Sequence, residues 1–330
     1  MSVLVTGGAG YIGSHMVWQL IDAGEDVVVL DDLTTGFKWA VAPEARFVHG
    51  DVGDEALVGR LIADHNVDAI IHFAGSIIVP ESVRDPLGYY LNNTVKSRAL
   101  IAAAVKGGVR NFIFSSTAAV YGTPDVMPVA EDAPLRPESP YGRSKLMTEM
   151  MLADTAAAHD FRYVALRYFN VAGADPKGRT GQSTAGATHL IKVACETALG
   201  KRPSITVYGT DYPTPDGTCI RDYIHVSDLV GAHSEALKRL RVGEGSLVVN
   251  CGYGRGYSVK AVVDAVKRVS GRDFKVVMGA RRPGDPAAVV ASPALIASRF
   301  GWKPEHDDLD GIVGSALAWE AALERRNQRD

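Results

Sequence analysis

Two side chains on one predicted helix have the types and spacing to remove a proton from a hydroxyl group. Tyr141 and Lys145 are four residues apart in Tyr-Gly-Arg-Ser-Lys, so a helix places them one turn apart on a common face. A free phenol has a pKa of about 10 and is a poor base at neutral pH, whereas a lysine ammonium one turn away favours the phenolate. Among the twelve tyrosines only Tyr141 has a lysine four residues later. The same pair also occurs as a solvated surface contact, so its meaning depends on the elements around it.

The opening residues of the chain predict a setting for that chemistry. Residues 2–6 form an apolar run typical of a strand, and a helix follows Gly7, Gly10 and Gly13. In a dinucleotide-binding unit the first glycine makes a tight turn, the second admits the pyrophosphate and the third lets the helix pack on the strand. The alternative is a glycine turn before an ordinary helix. Such a turn would not require an acidic residue at the end of the following strand.

The second predicted strand, residues 26–30, ends at Asp31 and Asp32, about twenty residues past the glycines, where such units place an acceptor for the ribose hydroxyls. The charge of Asp31 would repel the extra phosphate of NADP, so we expect NAD. A cationic nicotinamide would add a second positive charge near Tyr141. Lowering a phenol pKa by about three units takes roughly 4 kcal/mol, which two nearby charges in a dry site can supply.

The hydroxyl of Thr117 is a third candidate. Strands and helices alternate after Asp32, with strands predicted at 46–49, 69–73 and 111–114, and this alternation favours a parallel sheet. Residues 111–114 lead into Ser-Ser-Thr117. Ligands bind beyond the carboxyl ends of parallel strands, so Thr117 would face the nicotinamide end of a bound dinucleotide.

Composition and charge exclude several classes of protein. The chain of 330 residues is 46% hydrophobic, and its net charge of −3 comes from well-mixed signs, which argues against nucleic acid or a membrane surface as a partner. Cys195, Cys219 and Cys251 are widely spaced, so we expect reduced core residues and no metal site. No apolar run approaches the roughly 18 residues of a membrane span, and no leader precedes the first strand, so we expect a soluble cytoplasmic protein.

The pattern predicts a Rossmann-type doubly wound parallel sheet followed by a smaller C-terminal α/β lobe. We place the dinucleotide-binding domain at 1–170 and the lobe mainly at 171–330, with residues 226–250 returning to the sheet. Helices are predicted at 54–65, near 86–106, from Ser227-Asp228 onward and at 312–326. In the lobe, Arg221 and Arg282 carry guanidinium forks that suit phosphate oxygens, although either could form a surface ion pair.

With the glycine loop, Thr117 and the Tyr141/Lys145 pair in place, the chain resembles the extended short-chain dehydrogenase/reductase family and, within it, the UDP-glucose 4-epimerases (UDP-galactose 4-epimerases). The resemblance covers nearly the whole length. It includes Gly-Tyr-Ile-Gly-Ser-His15, Ile-His-Phe-Ala-Gly75, Arg-Tyr-Phe-Asn170, Gly-Thr-Asp-Tyr-Pro-Thr214 and Ile-Arg-Asp-Tyr-Ile-His-Val226.

The resemblance implies a tightly held NAD that is reduced and reoxidised within each turnover, while C4 of a UDP-hexose is inverted through a transient 4-keto sugar. Tyr141 would take the proton of the sugar 4-hydroxyl, Lys145 would hold the phenolate and the nicotinamide ribose, and Thr117 would hydrogen-bond the reacting oxygen. It also implies a homodimer formed through helices near 90–106 and 144–159.

The resemblance further implies two sets of binding residues. The cofactor set is Gly7, Gly10, Tyr11, Ile12, Gly13, Asp31, Asp32, Gly36, Asp51, Val52, Phe73, Ala74, Gly75, Asn92, Tyr141, Lys145 and Phe169. The UDP-sugar set is Thr117, Tyr141, Asn170, His189, Leu190, Thr206, Tyr208, Arg221, Arg282, Asp285 and Val289.

Three positions depart from the family pattern, and four other readings stay open. Ile77 replaces a common lysine, His189 replaces an asparagine that meets the diphosphate, and Val289 replaces a tyrosine beside the sugar C2 substituent, which leaves room for N-acetylated sugars.

The other readings are a 4-epimerase of a different UDP-sugar, a nucleotide-sugar 4,6-dehydratase, a net reductase and a non-catalytic NAD sensor. A dehydratase would need carboxyls where this chain has Ala118 and Ala119, and a sensor would not keep the Tyr141/Lys145 pair.

Overall fold

The computed structural model of the chain describes residues 1–282 and 285–327. Its central layer is a parallel sheet of seven strands in the order β10-β6-β5-β4-β1-β2-β3. The strands of the described chain are β1 (Ser2–Thr6), β2 (Asp26–Asp31), β3 (Arg46–His49), β4 (Val67–His72), β5 (Asn111–Thr117), β6 (Arg162–Tyr168), β7 (Asn170–Ala172), β8 (Ile205–Tyr208), β9 (Ile220–His225), β10 (Leu247–Cys251), β11 (Gly256–Ser258), β12 (Val276–Gly279) and β13 (Ala288–Val289).

Helices cover both faces of this sheet and build the lobe. They are α1 (Tyr11–Asp22), α2 (Glu55–His65), α3 (Val79–Arg84), α4 (Pro86–Tyr89), α5 (Lys96–Lys106), α6 (Pro140–Ala158), α7 (Leu190–Ala198), α8 (Val226–Arg241), α9 (Val259–Ser270), α10 (Ala294–Phe300) and α11 (Leu309–Asn327). Local signals fix several ends: Asp54 caps α2 by accepting the Leu57 amide at 2.9 Å, and Ser139 caps α6 by accepting the Gly142 amide at 3.2 Å.

The central strands are apolar at most of their middle positions because both faces of the sheet are buried there. Val3 and Val5 pack into one core with α1 and α8, while Leu4 between them packs into a second core with α2 and α5. A third core lies in the lobe, where α7, α9 and α11 pack together. The doubly wound sheet predicted from the alternation of elements is therefore confirmed.

The lobe contains two small sheets. In one, β9 pairs with β7, β11 and β13, and in the other β8 pairs with β12. The chain then returns to the main sheet, since β10 pairs with β6 and α8 packs against α1. Helix α10, beyond the predicted returning segment of 226–250, also packs against β10 and α8. The division of the chain into domains at residue 170 stays a prediction.

Three helices differ from their predicted form. The single helix predicted near 86–106 is divided by a π-helical segment, Tyr90–Val95, between α4 and α5. The helix predicted from Ser227-Asp228 onward begins one residue earlier: α8 starts at Val226, and His225 Nδ1 caps it by accepting the Ser227 amide at 3.1 Å. The last helix is longer than predicted because it already begins at Leu309.

Candidate active site

Two glycines where β1 leads into α1 have no space for a side chain. A Cβ atom on Gly13 would lie 2.0 Å from the carbonyl oxygen of Gly7, and one on Gly7 would lie 2.6 Å from the Ala74 amide nitrogen. Gly7 also has φ +70°, which favours glycine. Gly10 caps α1 without a side chain, so the amide groups at the start of the helix are open to an anion. This backbone cradle fits a pyrophosphate.

Asp31 at the end of β2 is tied to that loop. Its carboxylate accepts the Ala9 amide at 2.9 Å and the Leu33 amide at 2.8 Å, and burial raises its pKa. Each carboxylate oxygen has more than one lone pair, so Asp31 can still accept from ribose hydroxyls. The neighbouring Asp32 is exposed and accepts the Thr34 amide. Gly36 lies against the backbone of Ala9.

The remaining cofactor candidates lie at the same carboxyl edge of the sheet. Asp51 and the buried Val52 follow β3, and Phe73, Ala74 and Gly75 follow β4. Asp51 already has partners: desolvation would raise the pKa of its carboxyl, but an ion pair with Lys96 at 2.6 Å and the Gly53 amide lower it. Ile12 on α1 packs against the first core, and Phe169 packs against a small cluster formed by Val120, Tyr121 and Val129.

The π-helical segment holds the loop after β4. Asn92 donates to the Ser76 hydroxyl at 2.9 Å. The buried Asn93 accepts the Ser76 amide at 2.7 Å and donates to the Ser144 hydroxyl at 3.0 Å, so it joins this loop to α6. Asn93 was not among the predicted site residues.

Tyr141, Lys145 and Thr117 come together where α6 crosses the end of β5. Tyr141 and Thr117 are both buried. Burial raises the pKa of the Tyr141 phenol, and a hydrogen bond with the Thr117 side chain lowers it in part. Thr117 Oγ1 also accepts the Ala119 amide at 3.1 Å. A phenol and a hydroxyl that are hydrogen-bonded to each other can both bind the oxygen of a reacting group placed between them.

Lys145 projects from the same face of α6, as predicted, but the lowering of the Tyr141 pKa expected from it is not found, because burial raises that pKa and only Thr117 opposes the rise. Its ammonium donates to the Ser115 carbonyl at 2.9 Å and lies over the Phe114 ring, 4.9 Å from the centroid. The side chain is 3% exposed, and this burial lowers its pKa to about 8. A Cβ atom on Gly75 would be 3.7 Å from the ammonium nitrogen, so Lys145 lies beside the loop that follows β4.

Glu149, one turn beyond Lys145, completes this face of α6. Its carboxylate accepts the Ser116 hydroxyl and forms a buried, bidentate ion pair with Arg167 of β6, with distances of 3.0 and 2.6 Å. Arg167 also donates to the Tyr121 hydroxyl at 3.0 Å. Three side chains at four-residue intervals therefore meet Thr117, Ser115 and Ser116. The spacing of Glu149 after Lys145 was a signal that the sequence offered and that we did not use.

In the lobe, the predicted substrate residues form a group around β8, β9 and β13. The Arg282 guanidinium lies 3.9 Å from the centre of the Tyr208 ring, and Arg221 pairs with Asp285 at 3.3 Å. Buried Val289 is aligned with Arg221 across neighbouring strands. Thr206 lies against Gly279 of β12. The ion pair that we weighed as an alternative for Arg221 is present, whereas Arg282 stacks on an aromatic ring.

Three more predicted substrate residues line a pocket between the lobe and the start of α1. Asn170, His189 and Leu190 lie on the lobe side and Tyr11 on the other, where its hydroxyl donates to the Gly173 carbonyl at 2.7 Å. Asn170 also donates to the Asp222 carbonyl at 3.3 Å. Ile77 is exposed.

Cys195, Cys219 and Cys251 are buried free thiols. Within the described ranges, acidic, histidine and cysteine side chains form no cluster that could hold a metal ion. In the same part of the chain, every helix is too short or too polar to cross a membrane.

Known proteins are similar to this chain in sequence and in fold. The model of the NAD dependent epimerase/dehydratase family matches residues 3–252. A UDP-glucose 4-epimerase of Azospirillum brasilense is 58% identical over 98% of this chain and 93% of its own length. The crystal structure of a UDP-glucose 4-epimerase from Brucella ovis in complex with NAD has a TM-score of 0.94 at 47% identity, and covers 96% of this chain and 97% of its own.

A third relative has a broader name. The UDP-Glc/GlcNAc 4-epimerase of Campylobacter jejuni is 47% identical to this chain, with a TM-score of 0.85 over 97% of this chain and 99% of its own. Together with the cradle around Gly13 and the Tyr141/Lys145 face of α6, these matches show that the chain belongs to the NAD dependent epimerase/dehydratase family.

Proposed function

We propose that this protein interconverts UDP-glucose and UDP-galactose by inverting C4 of the hexose, with NAD as a retained cofactor, and that it serves galactose metabolism. The observation that carries this proposal is the meeting of Tyr141, Thr117 and Lys145 at the carboxyl edge of the sheet that carries the glycine cradle. Relatives with the same fold and family support the reaction type. The activity is that of an isomerase.

Each residue has a role in this reaction. The nicotinamide ring supplies reversible acceptance of a hydride when it is bound. Tyr141 takes the proton of the sugar 4-hydroxyl as the hydride leaves C4, and it returns the proton after the 4-keto sugar has presented its opposite face. Thr117 donates a hydrogen bond to the reacting oxygen. Lys145 stabilises the Tyr141 phenolate by its charge, which the dry surroundings strengthen.

The lobe supplies the residues that hold the UDP moiety. The guanidinium forks of Arg221 and Arg282 suit the diphosphate oxygens. Both have protein partners at present, Asp285 and the Tyr208 ring, so binding would exchange these contacts for phosphate oxygens. Asn170, His189, Leu190 and Thr206 complete the proposed substrate site.

N-acetylated UDP-hexoses are the second candidate substrates, and Val289 favours them. Val289 lies next to Arg221 across the strand pair, and its side chain is much smaller than the tyrosine of some relatives. The smaller residue leaves space beside the sugar C2 substituent. The Campylobacter jejuni relative, named for both kinds of sugar, supports this extension. A 4,6-dehydratase is disfavoured because Ala118 and Ala119 supply no acid or base for elimination.

We further propose a homodimer formed through the helices at 90–106 and 144–159. Leu91 and Met150 on these helices are 56% and 59% exposed, and Leu87, Val95 and Met147 extend the same apolar surface. A second copy, related by a two-fold axis, would bury it. Sedimentation of the Leu91→Glu variant tests this proposal, which predicts a dimer for the wild type and a monomer for the variant.

The function is tested with purified protein and no added NAD. We expect UDP-galactose to be converted to UDP-glucose, with product detected by chromatography, and the Tyr141→Phe variant to lose a factor of about 10² to 10⁴ in kcat. Absence of conversion by a protein that carries NAD would refute the epimerase reaction. Unchanged turnover by Tyr141→Phe would refute only the assignment of the base.

A further inference from the structure

A hairpin of the lobe lies over the start of α1 and is held by two helices. We call residues 173–184 the clasp. Its two arms meet at an isolated bridge between Ala174 and Gly181, and the Asp175 amide donates to the Thr180 carbonyl at 3.0 Å. Arg179 closes the turn through a bidentate ion pair with Asp175, with both distances 2.9 Å. The clasp is therefore a defined structure with its own internal bonds.

One face of α1 binds the clasp along the length of the helix. The Tyr11 hydroxyl donates to the Gly173 carbonyl at 2.7 Å, and the hydroxyls of Ser14 and Thr180 are 2.7 Å apart in a buried contact. Further along, Arg179 stacks over the Trp18 ring at 4.4 Å and pairs with Asp22 at 2.9 Å. These contacts recur at intervals of three or four residues, which is the spacing of one helical face.

Helix α11 holds the other side of the clasp. A Cβ atom on Gly181 would lie 2.4 Å from the Trp319 ring, and the indole nitrogen of Trp319 donates to the Ser183 hydroxyl at 3.3 Å. At the end of α11, Arg326 lies over the Trp319 ring at 4.9 Å and donates to the carbonyls of Arg179 and Gly178. The clasp therefore joins the helix that follows the glycine cradle to the C-terminal helix of the chain.

The clasp also forms a wall of the cradle. A narrow crevice is lined on one side by Ala9, Gly10, Tyr11 and Ser14, and on the other by Gly181, Ser183 and Thr184. Thr35 and Phe37, which flank Gly36, complete the lining together with Ala40. The clasp therefore lies directly beside the start of α1, where the amide groups of the cradle have no side-chain cap.

We propose that the clasp retains the dinucleotide: NAD leaves the protein only when residues 173–184 separate from α1. Retention by the clasp goes beyond the proposed reaction. It rests on the proposed function in one respect, namely that NAD is the molecule held in the cradle. Opening requires the Ser14–Thr180 contact, the Arg179–Asp22 ion pair and the Tyr11–Gly173 hydrogen bond to break together. The rate of this local opening then limits NAD release.

The test measures NAD release from the holoprotein. Protein purified with its NAD is diluted into buffer that contains an NAD-consuming dehydrogenase, which traps every released molecule, and the remaining bound NAD is followed over time. The variant R179M/T180V removes three contacts with α1, namely the Arg179–Asp22 ion pair, the stacking of Arg179 on Trp18 and the Ser14–Thr180 hydroxyl contact, together with the internal Arg179–Asp175 pair, and keeps side chains of similar volume. The control R110M/T197V carries the same substitutions elsewhere: Arg110 forms an exposed ion pair at the amino end of β5, and Thr197 bonds within α7.

We expect R179M/T180V to release NAD at least about tenfold faster than the wild type and R110M/T197V, at the same melting temperature as the control. Equal release from both variants would overturn the proposal. A wild type that carries no NAD would instead refute the proposed cofactor. S14C/T180C provides a second arm, because an oxidised disulfide should slow release and reduction should restore it; equal release in both states would also overturn the proposal.

Discussion

The Lys145 ammonium and the Ser115 carbonyl oxygen are 2.9 Å apart, and the next strand residue, Ser116, donates to Glu149 one turn further along the same helix. These two bonds hold α6 against the end of β5, so the Tyr141 phenol remains beside Thr117. The position of the candidate base is therefore set by its helix as a whole.

The first prediction concerns the cost of burying Lys145. Lowering its pKa from 10.5 to about 8 corresponds to roughly 3 kcal/mol. Lys145→Met removes this cost but leaves the Ser115 carbonyl with one fewer donor, so we expect a net gain of about 1 to 2 kcal/mol in the free energy of unfolding at pH 7, with loss of activity. Urea denaturation of the NAD-free proteins measures this difference.

The stability gained by Lys145→Met should depend on pH, because the cost of burying the charged lysine does. Below pH 8 the lysine is charged in both the folded and the unfolded protein, so the wild type bears the full cost. As the pH rises from 8 towards 10.5, only the unfolded chain stays protonated, and the wild type becomes more stable. The difference between Lys145→Met and the wild type should shrink over this interval. A difference that is constant with pH would contradict the assignment.

The second prediction concerns the buried pair of Glu149 and Arg167. Arg167→Met leaves an uncompensated carboxylate in the core, and we expect it to lower the free energy of unfolding by about 3 to 5 kcal/mol. The double variant E149L/R167M replaces both charges with apolar groups and should regain most of that loss. Its kcat should stay reduced, because Ser116 no longer has its acceptor on α6. If the double variant is as unstable as the single one, an unpaired charge is not the cause.

The third prediction concerns the glycine cradle. A methyl group on Gly13 would clash with the Gly7 carbonyl oxygen, so Gly13→Ala must displace the loop that faces the pyrophosphate. We expect the purified variant to contain little NAD, as measured by its ratio of absorbance at 260 and 280 nm. Gly231→Ala in α8 is the matched control, because a Cβ atom there meets open space. Full NAD content in Gly13→Ala would argue against the proposed cradle.

The fourth prediction concerns substrate range. Val289→Tyr fills the space proposed beside the sugar C2 substituent, so it should abolish activity on UDP-N-acetylglucosamine while retaining turnover of UDP-galactose. Val289→Ala should retain both activities. The measurement compares kcat/KM for the two substrates in the three proteins. An equal loss of both activities in Val289→Tyr would show that residue 289 does not select the C2 substituent.

Local patterns in the sequence predicted the fold well. Continuous apolar runs, the glycine loop and the alternation of elements gave the sheet and the common face of Tyr141 and Lys145, because these depend on neighbours in the chain. The ion pair of Asp51 with Lys96 and the role of Asn93 were missed, since they join residues on different elements. Thr180 and Trp319 were missed for the same reason: 166 positions separate Ser14 from Thr180, and no periodicity reports such a pair.

The position of β10 late in the chain has a consequence for the synthesis and the engineering of this protein. This strand, residues 247–251, completes the sheet beside β6 only after the chain has passed through β7, β8 and β9. A growing polypeptide therefore exposes the edge of β6 until residue 251 has left the ribosome. A gene fragment that ends at residue 170 would leave the same edge bare and deprive Tyr121 of its acceptor, Asn250. A chimera with a relative should therefore exchange residues 1–170 and strand β10, residues 247–251, together.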